Sequence, residues 1–167
     1  MNNSNSAHYR ILAKLFKGFS SNNEYKILDA GSGRTSLDFL TKKFPQSRIQ
    51  AIVFPGDERK LSGIHQNVKA TNFNLLEVDL YQFKQQNKFN IVLAHLLLGE
   101  ATKFSKRSFS QMLKTLFNIN TDYLIIIDIL EDPDVDYDKL QKIIRKTRRL
   151  SKQVFEDKYV GYSITNN

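Results

Sequence analysis

Short apolar runs alternate with amphipathic stretches along most of the chain, the mark of β-α-β units wound around a mostly parallel sheet. Ile11, Leu12, Leu15, Phe16 and Phe19 recur at helical spacing with Arg10, Lys14 and Lys17 elsewhere on the wheel. This predicts an amphipathic helix over 7–19, which Gly18 helps to end. Lys26 to Asp29 reads as a first strand, and Leu37, Leu40 and Phe44 mark a helix that stops before Pro45. Arg48 to Phe54 is a second strand, closed by the turn Pro55-Gly56-Asp57, in which proline fixes φ and glycine accepts a positive one. Asp57 then caps a helix from Glu58 to about Asn67.

Strands follow over Phe73 to Val78 and Phe89 to His95, then a loop from Gly99 to Arg107 and a helix over Ser108 to Phe117. Tyr123 to Leu130 contains Leu124-Ile125-Ile126-Ile127, apolar on both faces as an inner parallel strand requires. A helix from about Tyr137 to Leu150 carries Leu140, Ile143, Ile144, Thr147 and Leu150 on one stripe. Gln153 to Glu156 and Tyr159 to Thr165 pair through a turn at Asp157-Lys158 as a hairpin at the sheet edge. The expected fold is α/β: a doubly wound, mostly parallel seven-stranded sheet with a C-terminal antiparallel hairpin and helices on both faces.

Candidate chemistry concentrates where the first strand ends. In Lys26-Ile27-Leu28-Asp29-Ala30-Gly31-Ser32-Gly33-Arg34-Thr35-Ser36 a carboxylate precedes two glycines and a helix. Glycine lets the backbone turn tightly and approach a ligand, and the carboxylate selects a cationic group. A phosphate-binding P-loop needs a Gly-Lys-Ser/Thr ending, and Arg34-Thr35 follows here instead. A dinucleotide fingerprint would place its third glycine at Ser36 and its ribose-binding acid about 20 residues on, near Ala51 to Val53, where the chain is apolar.

The arrangement resembles the first motif of the class I S-adenosylmethionine-dependent methyltransferases, and the likeness continues down the chain. It implies that Asp29, Gly31, Ser32, Gly33 and Thr35 hold the amino-acid end of S-adenosylmethionine. Leu75-Leu76-Glu77-Val78-Asp79-Leu80 resembles the family's third strand, so Asp79 and Leu80 are expected at the adenine. Phe89-Asn90-Ile91-Val92 resembles its fourth, usually Phe-Asp-x-Val, with Asn90 in place of the aspartate; His95 and Leu96 would then flank the adenosine and methyl group. The second strand departs from the pattern, because Val53 and Phe54 stand where an acid usually takes the ribose hydroxyls. Asp57 or Glu58 can reach back to that ribose, or Asp57 serves only as a helix cap.

His95 is the leading catalytic candidate and Glu100 the second, since a base assists when the acceptor is a hydroxyl or a protonated nitrogen. A histidine merely hydrogen-bonded at a strand end explains position 95 equally well. No Asn-Pro-Pro-Tyr-type motif follows the fourth strand, which disfavours methylation of adenine in DNA.

Composition narrows the reading further. At 167 residues, 41% hydrophobic and 25% charged, the chain is expected to be a single domain over 1–167, with a loose tail over 1–6. No apolar run approaches the roughly 20 residues that span a bilayer, and the polar start is unlike a signal peptide, so a cytoplasmic location is expected. The chain has no cysteine and three histidines, at 8, 65 and 95. That excludes disulfides, thiolate metal sites and methyl transfer through a cysteine adduct, and with three histidines no zinc cluster is expected.

The formal charge of +8 favours anionic partners. Lys103, Lys106 and Arg107 lie nearest the expected acceptor site, and Arg145, Arg148 and Arg149 extend the basic end of the last helix, a placement its macrodipole also explains. The acceptor implied is RNA or a small anionic molecule. A non-catalytic scaffold of the same fold, or a basic nucleic-acid-binding module, stands as the alternative.

Overall fold

A computed structural model describes residues 6–104, 108–146 and 151–165. The elements in chain order are α1 (Ala7–Leu15), β1 (Lys26–Asp29), α2 (Arg34–Lys43), β2 (Arg48–Val53), α3 (Glu58–Asn67) and β3 (Phe73–Glu77). After a short 3-10 helix at Leu80–Gln82 come β4 (Phe89–His95), α4 (Leu97–Phe104), α5 (Phe109–Asn118), β5 (Thr121–Ile129), α6 (Tyr137–Lys146), β6 (Ser151–Glu156) and β7 (Tyr159–Thr165). The strands form one seven-stranded sheet in the order β3-β2-β1-β4-β5-β7-β6. The first five run parallel, and β7 is antiparallel to both β5 and β6. The doubly wound sheet with its terminal hairpin is therefore the fold that the apolar pattern predicts.

Alternate side chains of the sheet enter two cores. One joins Leu28, Val92, Ala94, Leu124 and Ile126 to α4, α5 and α6. The other joins Ile27, Ile91, Leu93, Ile125 and Ile127 to α1, α2 and α3. Inner strands buried on both sides read as continuous apolar runs, and Leu124-Ile125-Ile126-Ile127 does so because every member is fully buried.

The N-terminal helix is shorter than the expected 7–19. Its C-cap Phe16 leaves helical geometry, and Phe19 N–H closes a turn on the Phe16 carbonyl. The two rings instead enter an aromatic cluster with Phe39, Phe44, Tyr25 and Tyr123. Ser6, expected in the tail, caps this helix by accepting from Tyr9 N–H. Helix α1 lies over the terminal hairpin: an ideal Cβ on Gly161 of β7 would stand 2.5 Å from Leu15 Cδ1, so the missing side chain lets the helix seat closely. Arg10 and Lys14 both pair with Glu156 of β6.

The expected loop after β4 is instead the helix α4. Its first turn is capped from a distance, as the Asp128 carboxylate on β5 accepts from Leu98 N–H at 3.1 Å and Gly99 N–H at 3.3 Å. The cation candidates Lys106, Arg107, Arg148 and Arg149, and the stripe residues Thr147 and Leu150, lie outside the described residues.

Candidate active site

The strand order reverses between β1 and β4, and in open α/β sheets ligands bind outside the carboxyl ends of the strands at such a switch point. The backbone keeps its ladder going past β1 on both sides: Ala30 N–H donates to the Leu93 carbonyl at 2.8 Å and Ser32 N–H to the Ile52 carbonyl at 2.7 Å. The Gly31-Ser32-Gly33 turn is thereby fixed above the sheet before α2 begins.

Asp29 is fully buried beneath this turn. Its Oδ2 accepts from Ser32 Oγ at 2.6 Å and from Ser36 Oγ at 2.7 Å, while Oδ1 is buried without a partner. Burial pushes the carboxyl up to about 6, against the two hydroxyl hydrogen bonds and the charge of Lys60, which pull it down. The sequence reading has Asp29 facing the ligand; the structure has it half satisfied by its own turn, with one buried oxygen left without a partner.

The two glycines differ. An ideal Cβ on Gly31 would lie 2.6 Å from Leu97 Cδ1, so the first residue of α4 fills the space expected to admit a ligand. At Gly33 nothing lies within 4 Å of such an atom. Room for close approach is therefore at Gly33.

A cavity of about 980 Å³ opens beside the turn, lined by Phe54, Asp57, Lys60, Asp79, Leu97 and Glu100 among others. Of the expected site residues it brings together Phe54, Asp57, Asp79 and Glu100, with Glu58 also on the wall. Asp57 both caps α3, accepting from Lys60 N–H at 3.3 Å, and faces the cavity. Asp79 accepts from Tyr81 N–H at 3.0 Å and so opens the 3-10 helix. Val53 and Leu80 are almost wholly buried and do not line the cavity. Thr35 is half-buried in the first turn of α2 and does not line the cavity.

Lys60 is the central residue that the sequence did not single out. From α3 it is hydrogen-bonded to Glu100 on α4, with Asp57 Oδ2 3.9 Å away. Its charge lowers the affinity of both Asp29 and His95 for a proton. Arg34 and Arg59 also line the cavity and were likewise missed. Arg34 follows the glycine turn directly, which was the available signal; nothing in the local sequence marks Lys60.

His95 ends β4 on the α1 side, 7% exposed, with Nε2 3.2 Å from His8 Nδ1. Burial first, then His8 and Lys60, push its pKa down to about 3, so it is neutral. It does not line the cavity. Leu96 follows with φ of 56°, in the left-handed region, and packs half-buried on the α1 side of the sheet. Asn90 lies at the opposite end of β4, where Lys26 N–H donates to its Oδ1 and its Nδ2 donates to Asp122. An amide can both accept and donate in that place, which accounts for the absence of an aspartate there.

Lys103 is exposed on α4 away from the cavity walls, and Arg145 stands on the basic face of α6 with Lys142 and Lys146. Among the described residues no group of His, Cys, Asp and Glu is placed to hold a metal, and no helix is long and apolar enough to cross a membrane.

No family model and no curated protein matches the chain. Solved structures do. The N-methyltransferase NodS from Bradyrhizobium japonicum WM9 superposes over 98% of this chain and 98% of its own with a TM-score of 0.70 at 13% identity. The chain has the class I methyltransferase fold. A SAM-dependent methyltransferase from Aquifex aeolicus matches with a TM-score of 0.70 at 16% identity, covering 95% of this chain and 89% of its own. The plantazolicin methyltransferase BpumL, solved with S-adenosylhomocysteine, matches with 0.67 at 16%, covering 99% and 87%. On this class I frame the Gly31 turn, the Phe54-to-Lys60 segment and Asp79 are the carboxyl-end loops of β1, β2 and β3.

Proposed function

We propose that the chain is a SAM-dependent methyltransferase, one cytoplasmic domain acting on RNA or a small anionic acceptor. The observation that carries this reading is the unpaired, buried Oδ1 of Asp29 beneath a glycine turn at the switch point of the class I fold. A buried carboxylate oxygen without a partner is costly, and the ammonium of a cofactor's amino-acid end supplies the missing donor. Gly33 leaves room for that end, Asp57 and Glu58 offer acceptors to a ribose, and Asp79 on the cavity wall edges the adenine. Bound S-adenosylmethionine supplies an electrophilic methyl group: acceptor–H and the sulfonium give acceptor–CH₃, S-adenosylhomocysteine and a proton. The protein holds the reactants in line, and proximity carries most of the rate. Arg34, Arg59 and Lys60 are the cations of a wall that also carries Asp57, Glu58, Asp79 and Glu100, and they are the contacts offered to an anionic acceptor.

Titration calorimetry with S-adenosylmethionine and S-adenosylhomocysteine tests the reading; absence of heat with both overturns it. Leu97 against Gly31 favours a second reading, a non-catalytic scaffold whose turn is closed by its own α4. That scaffold gives no heat with either compound. A basic nucleic-acid module would instead bind RNA with a steep salt dependence that survives Asp29→Ala.

A further inference from the structure

A chain of three side chains runs from the first residue of β7 to the carboxyl end of β4. Tyr159 OH is 2.5 Å from His8 Nε2, and His8 Nδ1 is 3.2 Å from His95 Nε2. Sheet register brings the three together. Tyr159 lies opposite Ile129 and His95 opposite Ile127, so both rings share the face of the sheet on which α1 sits, with His8 between them. Helix α1 is held there by Leu15 and Ile11 against Gly161 and by the ion pairs to Glu156.

The direction of the hydrogen bonds follows from counting donors. Tyr159 is nearly buried, and among the described residues its hydroxyl meets only His8. Its proton has an acceptor only if the phenol donates to His8 Nε2. Burial also raises the phenol's pKa, which keeps that proton in place. A neutral imidazole has one donor and one acceptor nitrogen; His8 therefore carries its proton on Nδ1 and donates it to His95 Nε2. His95, held neutral first by burial and also by the Lys60 charge, then carries its proton on Nδ1. That nitrogen has no partner among the described residues, and it is not one of the polar atoms sealed from solvent without a partner. His95 as a whole is 7% exposed.

We infer that Tyr159 and His8 are positioning residues that fix the tautomer of His95, so that His95 offers a bound ligand an N–H donor at the end of β4 and recognises a hydrogen-bond-accepting oxygen. His95 is then not a base in the resting protein. Its use toward a ligand rests on the methyltransferase reading, while the tautomer does not. The oxygen belongs either to the carboxylate of the cofactor's amino-acid end or to an oxyanion of the acceptor, and the two sources share this chemistry.

Nitrogen-15 NMR of histidine-labelled protein reads the tautomer directly. The wild type is expected to show Nδ1 protonated and Nε2 bare on His95, with the same pattern on His8. Tyr159→Phe and His8→Ala release the constraint and give exchange-averaged shifts at His95. His8→Asn, whose amide N–H stands where Nδ1–H stood, restores the fixed form even if Tyr159→Phe fails to fold. A wild-type His95 protonated on Nε2, or a tautomer unchanged in a folded His8→Ala, overturns the relay.

Ligand arms then locate the oxygen. Downfield movement of the His95 Nδ1 proton with S-adenosylhomocysteine assigns it to the cofactor, and movement with inorganic phosphate but not with S-adenosylhomocysteine assigns it to the acceptor. Movement with neither overturns the recognition step. Calorimetric silence toward S-adenosylhomocysteine with an intact tautomer removes the methyltransferase reading and leaves the relay standing.

Discussion

Leu97 occupies the volume that any side chain on Gly31 would need: the ideal Cβ would fall 2.6 Å from its Cδ1 and 3.3 Å from its Cβ and Cγ. The glycine is therefore required by the packing of α4 onto the turn, independently of any ligand. Leu97 is itself 2% exposed within the core shared by α4 and α5, so it has little room to swing away. Gly31→Ala is expected to destabilise the fold by about 1–3 kcal/mol, the usual range for overpacking. Adding Leu97→Ala should recover part of that loss relative to the sum of the single changes. Urea unfolding of the four proteins checks it; additive losses would show that the two residues do not meet.

Asp29 gives the protein a pH dependence of unusual sign for a carboxylate. Its folded pKa is raised to about 6 from an ordinary 3.8. The folded state therefore favours the protonated form, and the stability this contributes is present below about pH 4 and lost as pH rises through about 6. At one pKa unit per 1.36 kcal/mol the full effect is about 3 kcal/mol. His95 acts oppositely, because its depressed pKa contributes stability above about 6.5 that is lost on acidification. The measurable quantity is thus the difference between wild type and Asp29→Asn. Wild type should lose stability relative to the variant by an amount of that order between about pH 4 and pH 6.5; a flat difference would mean that Asp29 is not buried as described.

The parts of this architecture that could be read from the sequence are those encoded locally. β1, β4 and β7 are apolar runs bounded by turn residues, and their limits at Lys26–Asp29, Phe89–His95 and Tyr159–Thr165 are where the pattern puts them. Helix α4 could not be read so, because the carboxylate that caps it is Asp128, 30 residues further on, and Gly99 within it reads as a loop signal. That glycine is there because a Cβ would stand 2.6 Å from Asp132 Oδ2. The candidate site divides the same way. Asp57 lies in a turn whose chemistry is local, whereas the partner of His95 is His8, 87 residues away. Gly31 looks identical in sequence whether it serves a ligand or Leu97.

Lys60 couples the two buried groups near the switch point. Its ion pair with Glu100 is partly exposed, with side-chain accessibilities of 27% and 43%, so Lys60→Met should change stability by under about 1 kcal/mol. The electrostatic effect is more specific. The ammonium lowers the pKa of both Asp29 and His95, so its removal should move both titrations upward. Carbon-13 NMR of the Asp29 carboxyl and nitrogen-15 NMR of His95 measure this. Upward movement of one group alone would place Lys60 away from the other.

Asp57 has two duties that substitution can separate. As the N-cap of α3 it accepts from Lys60 N–H at 3.3 Å, and asparagine performs that role about as well, whereas alanine loses about 1 kcal/mol. As a cavity-wall carboxylate it is the acceptor proposed for a ribose in place of the apolar Val53, and a charge-assisted hydrogen bond of that kind contributes about 1.5–3 kcal/mol. Asp57→Asn should therefore leave the urea midpoint unchanged and weaken S-adenosylhomocysteine binding by roughly one to two decades. Asp57→Ala should show the same loss of affinity with an added loss of stability. Equal affinity in wild type and Asp57→Asn would assign the residue to capping alone and move the ribose contact to Glu58, where Glu58→Gln becomes the decisive titration.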